Sequence, residues 1–194
     1  MKIVVINLER SHDRHAIIQQ SLCRAGVEFE FFRAIDGSQG EHFFLSRYDE
    51  RGSILEHGEP LTDDEIANFA THYLLWQRCS ILKEPIVILQ DDAAITDQFP
   101  RLLTAARELI GRLRLLWLGV SSDVDQRWSQ GFEVVEHRIG TTHEMSGYVI
   151  SPDAAANLVA HAAVWTMPVD SYISRADRHG IHSFGFLHCP VGRR

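Results

Sequence analysis

The chain has 194 residues, of which 45% are hydrophobic and 23% charged, an ordinary globular profile with enough length to bury a core in one domain spanning 1–194. Its 19 basic and 26 acidic residues leave a formal charge of −7, which argues against nucleic acid as a partner, because such binding rests on Lys and Arg neutralising phosphates. The three cysteines, Cys23, Cys79 and Cys189, form no CxxC pair, a pattern of reduced thiols that points to a cytoplasmic chain.

Residues 2–8, "KIVVINL", form a continuous β-prone run typical of a strand buried on both faces. Asn7, Glu9 and Arg10 interrupt it too early for a signal peptide or a span. No later apolar run approaches the roughly 18 residues a membrane span needs. Peripheral contact with the inner membrane stays open, since amphipathic faces do not show in composition. Residues 11–26 read as a helix with Ser11 as N-cap and Gly26 as its stop; Ile17, Ile18, Leu22 and Ala25 recur at helical spacing. "VEFEFFRAI" (27–35) reads as a second strand ending at Asp36-Gly37, so the opening is a βαβ unit with a right-handed crossover.

Residues 37–60 are polar and irregular, a loop with a short helical piece. Order resumes in a helix over 61–82, where Thr62 and Glu65 form a capping-box pattern. A strand over 86–89, a helix over 99–113 and a strand over 113–120 follow. Residues 121–140 lack a firm period and read as a loop with a hairpin. "SGYVIS" is a short strand, and Ser151 with Pro152 opens a helix over 151–163. "HSFGFLHCPV" (182–191) reads as the last strand.

The chemistry gathers where strands end. In "IVILQDDAAI" two neighbouring carboxylates, Asp91 and Asp92, leave an apolar strand. They either cap the next element in water or face a cation, and the carboxyl end of a strand is where open α/β sheets bind ligands. Hard cations such as Mn²⁺ or Mg²⁺ take oxygen ligands, commonly one or two carboxylates plus phosphates. Arg10 and Arg14 lie at the first strand-to-helix junction, suited to phosphate contacts, or else are helix-surface charges. Asp36-Gly37 allows either a turn close to a nucleotide or a plain tight turn. His72 and Trp76 share a helical face; His72 is a candidate for reaching a sugar or phosphate, and Trp76 for the core.

Six stretches, in order, resemble glycosyltransferase family 25, which includes lipooligosaccharide and collagen galactosyltransferases. They are "VVINLERSHDR", "FFRAIDG", "LTDDEIANFATHYLLW", "IVILQDDAAI", "MSGYVISPDAAANLV" and "MPVDSYI". The resemblance runs over about residues 3–173 and departs at Gln90 (usually Glu), Asp64 (usually Gly) and Thr71 (usually Ser before His72). The chain is short for the group, from which a reduced acceptor-binding C-terminal portion is expected.

The resemblance implies an α/β, GT-A-like (Rossmann-like), mostly parallel sheet flanked by helices. It implies a hexosyltransferase that moves galactose from UDP-galactose, with inversion, onto a glycan acceptor such as bacterial lipooligosaccharide. Asn7, Arg10, Arg14, Ala34, Asp36, Gly37, His72 and Gln90 are then candidates for the UDP-sugar, and Asp91 and Asp92 for Mn²⁺ or Mg²⁺. His188 is a third metal candidate by analogy with other metal-dependent transferases, or a packed histidine. Inversion needs a carboxylate to take the acceptor's proton; Asp170 is the first choice and Glu144 the second, unless both are surface charges. The alternative is a transferase-shaped binding or scaffold protein without turnover. A metal-dependent phosphoesterase would want more clustered His and Asp ligands than the sequence offers.

Overall fold

In the computed structural model, which describes residues 1–40, 45–118, 124–129, 133–137, 139, 145–186 and 191–193, the first apolar run forms β1 (Lys2–Asn7). It leads through α1 (His12–Arg24) to β2 (Glu30–Arg33), which lies parallel to it. Gly26 follows α1 at φ 68°, the left-handed position expected of a helix stop. Ser11 precedes α1, but its side chain makes no capping hydrogen bond, contrary to expectation. Two 3₁₀ turns, Gly37–Gln39 and Leu45–Arg47, and α2 (Glu50–His57) occupy the stretch read as a loop with a helical piece.

The capping box forms as its spacing predicts. Thr62 accepts from the Glu65 backbone N–H at 3.2 Å, and Glu65 accepts from the Thr62 N–H at 2.8 Å, starting α3 (Asp63–Leu82). After it come β3 (Ile86–Gln90), β4 (Ala93–Ile95), α4 (Phe99–Leu113), β5 (Leu115–Trp117), β6 (Val124–Ser129) and β7 (Glu133–His137). The chain continues through β8 (Gly147–Ile150), α5 (Pro152–His161), α6 (Val169–Ile173), α7 (Ala176–His179), β9 (Phe184–Phe186) and β10 (Val191–Arg193). Ser151 caps α5 by accepting from the Ala154 N–H at 3.3 Å.

Eight strands make one sheet in the order β2-β1-β3-β8-β5-β9-β7-β6. The α/β, GT-A-like architecture flanked by helices is the expected one. Its pairings are mixed: β2, β1 and β3 run parallel, as do β5 and β9, whereas β8 is antiparallel to both its neighbours. The hairpin read in 121–140 is β6 paired antiparallel with β7. The last expected strand divides, because β9 joins the main sheet and β10 pairs with β4.

Alternation along the strands sorts the core into two layers. Val4, Ile6, Ile86, Ile88, Tyr148 and Ile150 face α3 and α5, where Trp76, Ala154 and Leu158 are buried. Ile3, Val5, Val87, Leu89 and Val149 face α1 and α4, where Ile18, Leu22, Phe99 and Ala106 are buried. Ile17, expected on the apolar stripe of α1, is 46% exposed because Ile18 and Leu22 already cover the sheet. Among the described residues no helix is long and apolar enough to cross a membrane.

Candidate active site

β1 lies between β2 and β3, and the two crossovers that leave this region, α1 and α3, pack on opposite faces of the sheet. Such a switch point opens a crevice at the carboxyl ends of the strands. Here the crevice is a cavity of about 710 Å³, lined by residues of the β1, β2 and β3 ends, of α1 and α3, and by Met145 and Asp170. Of the residues expected to meet the donor or its metal, Arg10, Arg14, Ala34, Gln90, Asp91 and Asp92 line it.

Asp91 and Asp92 form the turn between β3 and β4. Asp91 is 8% exposed, with its carboxylate engaged by protein donors. Asn7 Nδ2, at the end of β1, donates to Oδ2 at 2.8 Å, and the Arg14 guanidinium lies 3.4 Å from Oδ1. The Asn7 amide oxygen in turn faces His15 Nδ1 at 3.1 Å, so the His15 N–H donates to it. His15 stacks on Phe31 with ring centroids 3.7 Å apart. Asn7 therefore stands behind the cavity wall and sets the angle of Asp91, while its outer side borders a smaller cavity of about 380 Å³. Asp92 is half-buried on the wall.

Arg10 and Asp36 form a two-pronged ion pair, Nε to Oδ2 at 2.9 Å and Nη2 to Oδ1 at 3.2 Å. Asp36 also accepts from the Ser38 backbone N–H at 3.1 Å, closing the 3₁₀ turn that follows β2. The Asp36 side chain thus fixes Arg10 on the rim rather than reaching into the cavity. Gly37 does not line the cavity either. It is buried where the turn meets the start of α3, and a β-carbon there would collide with the Asp63 carbonyl.

His72 does not reach a ligand from where it sits. It is fully buried, and desolvation pushes its pKa down to about 3, so the ring is neutral. Its Nδ1 lies 2.8 Å from the Tyr148 hydroxyl, and its Nε2 lies 3.1 Å from Gln90 Nε2. Trp76, a core residue as expected, donates from Nε1 to the same hydroxyl at 2.8 Å. Tyr148 was not among the sequence candidates. Its one signal was a tyrosine in a strand otherwise apolar, which needs a partner for its hydroxyl once buried.

Asp170 lines the cavity from the first turn of α6, its Oδ1 accepting from the Ser171 N–H at 2.8 Å. Glu144 and His188 lie outside the described residues. Thr71 was noted only as a departure. It accepts from the Ile35 N–H at 3.0 Å and donates to the Ala67 carbonyl at 2.8 Å, tying the β2 end to α3 along the cavity. Among the described residues no three His, Cys, Asp or Glu side chains gather as a metal-binding group. The cavity wall is nonetheless acidic. Asp64, Glu65, Asp91, Asp92 and Asp170 face Arg10 and Arg14, both of which are already ion-paired. A diphosphate would meet net negative charge there, and hard oxygen donors at the sheet mouth suit a divalent cation that offsets it.

A sequence model described as glycosyltransferase family 25 (LPS biosynthesis protein) matches residues 1–130. A "Glycosyltransferase 25 family member" of Aedes aegypti is 30% identical over 188 residues, covering 88% of this chain and 30% of that protein. "Lipooligosaccharide biosynthesis protein lic2B" of Haemophilus influenzae is 27% identical over 169 residues, 81% of this chain and 62% of that one. "Procollagen galactosyltransferase 2" of Homo sapiens is 26% identical over 188 residues, 89% and 29% respectively. The chain thus spans about 30% of the length of the insect relatives it matches.

Proposed function

The chain belongs to glycosyltransferase family 25, and on that premise we propose that it transfers a hexose, galactose from UDP-galactose, onto a glycan acceptor of the lipooligosaccharide kind. The observation that carries this reading is the switch-point cavity with Asp91 and Asp92 at the exit of β3. Its volume of about 710 Å³ falls within the usual range of small-molecule sites.

Asp92, with Asp91 beside it, would hold Mn²⁺ or Mg²⁺. A divalent cation so held would offset the charge that builds on the departing diphosphate. The remaining work falls to the chain's own side chains. Asn7 and Arg14 hold the Asp91 carboxylate in its orientation. Asp36 holds Arg10 on the rim, where its outer edge meets an incoming phosphate. Asp170, opposite on α6, would take the acceptor hydroxyl's proton in an inverting transfer.

Calorimetry tests the reading: UDP should bind more tightly with Mn²⁺ than without, and Asp92→Ala should abolish the gain. Equal affinity with and without Mn²⁺ rejects metal-assisted binding. A second reading, binding without turnover, is favoured by the engagement of Asp91 with Asn7 and Arg14. Release of galactose or its transfer to an acceptor would end that alternative.

A further inference from the structure

The buried group behind the cavity has a direction. Trp76 Nε1 can only donate, so the Tyr148 oxygen accepts from it at 2.8 Å. Tyr148 is 0% exposed, and its hydroxyl proton must itself find an acceptor. The hydroxyl's other neighbour is His72 Nδ1 at 2.8 Å, so the hydroxyl donates there. A neutral imidazole that accepts at Nδ1 carries its proton on Nε2. The Gln90 atom placed 3.1 Å from that N–H is the amide Nε2, and two N–H groups cannot bond to each other; the network therefore assigns the amide turned by 180°, with its oxygen in that place. Every hydrogen bond in this chain then runs the same way, from the core outward.

Gln90 is the member that lines the cavity, where Met145 stands beside it. With its oxygen committed to His72, the amide NH₂ is the part left to the cavity. Resting on the nucleotide-sugar reading above, we propose that Gln90 is a specificity-determining residue that gives a bound nucleotide sugar an N–H donor, its orientation locked by Trp76, Tyr148 and His72. The group it selects is an acceptor oxygen, on either the diphosphate or the hexose. Tyr148 and His72 act through Gln90 and are positioning residues. A carboxylate at position 90 could still accept from His72 but would present only lone pairs to the ligand.

Two measurements decide this, and they fail separately. Nitrogen NMR of the ligand-free protein should find His72 neutral with the proton on Nε2; a proton on Nδ1 overturns the one-way chain whatever the protein binds. Calorimetry with UDP and with UDP-galactose, Mn²⁺ present, then compares wild type with Gln90→Glu and Gln90→Met. The expected losses are roughly tenfold or more for Gln90→Glu, which sets a charge against the acceptor, and about three- to tenfold for Gln90→Met. A loss confined to UDP-galactose assigns the acceptor oxygen to the hexose, and a loss with both assigns it to the diphosphate. Unchanged affinity in variants of a protein that binds both overturns the specificity role alone. Wild-type protein that binds neither overturns the nucleotide-sugar reading, and the role of Gln90 falls with it.

Discussion

Gln90 and Asp91 are consecutive residues, yet they belong to two different polar systems. Strand alternation sends Gln90 to the α3 face, where His72, Tyr148 and Trp76 are buried and uncharged. It sends Asp91 to the α1 face, where Asn7, His15 and an Arg14 that is 58% exposed hold a charge near water. In the first system each donor has one acceptor and no solvent to replace it, so geometry is fixed by satisfaction. In the second, solvent shares the load, and the same number of contacts should count for less in folding and more in binding. A cavity between the two has one wall that sets shape and one that sets charge.

The largest effect should come from breaking the buried side. Tyr148→Phe keeps the ring and removes one oxygen, leaving the Trp76 N–H and His72 Nδ1 without the hydroxyl they share deep in the core. Each orphaned buried group costs about 1–3 kcal/mol, so with two of them the variant should lose about 2–6 kcal/mol in urea unfolding. A loss below about 1 kcal/mol would show that the two walls do not differ as described.

The next effect is a pH dependence that only the buried side should produce. The folded pKa of His72 lies at about 3, below its ordinary 6.5, so the unfolded chain binds the extra proton first. The stabilisation is fully present above pH 6.5 and is lost as the pH falls toward about 3, with a slope of at most about 1.4 kcal/mol per pH unit. Between pH 7 and 5 the wild type should therefore lose about 2 kcal/mol more than His72→Gln, measured by urea unfolding at each pH. Parallel curves for the two proteins would place the protonation of His72 outside the buried network.

The two walls were not equally legible in the sequence. Asp91 and Asp92 announce themselves, because paired charges after an apolar strand have few uses, and the β3 end is where the structure puts them. The β1–α1–β2 unit and the Thr62–Glu65 box were equally readable, since local spacing determines them. His72 read as a ligand because a histidine on a helix carries no mark of which face is covered, and α3 turns it inward beneath β8. Tyr148 lies 76 residues from His72, a pairing that only the antiparallel insertion of β8 beside β3 creates. The hold of Asn7 on Asp91 is likewise hidden, spanning 84 residues and depending on the register of β1 against β3. The short helices α6 and α7 carry no sustained period, and Asp170 was found through the family resemblance rather than through its element.

On the α1 wall, Asn7→Ala should cost about 1 kcal/mol, because Asp91 loses one donor but water can take its place. Arg14→Ala should be smaller still for folding. The guanidinium is 58% exposed and 3.4 Å from the carboxylate, and exposed pairs of this kind contribute about 0–1 kcal/mol, so the expected loss is under about 0.5 kcal/mol. Its effect on binding should run the other way in size. Removing one of two basic side chains from a cavity lined by five acids raises the negative charge that a diphosphate must meet, so UDP should bind more weakly. The deficit should grow as salt is lowered, since dilute salt screens the repulsion less. A variant equally stable and equally able to bind UDP at every salt concentration would mean that Arg14 contributes nothing to the charge of this wall, and the division between a shape-setting and a charge-setting side would then rest on Arg10 alone.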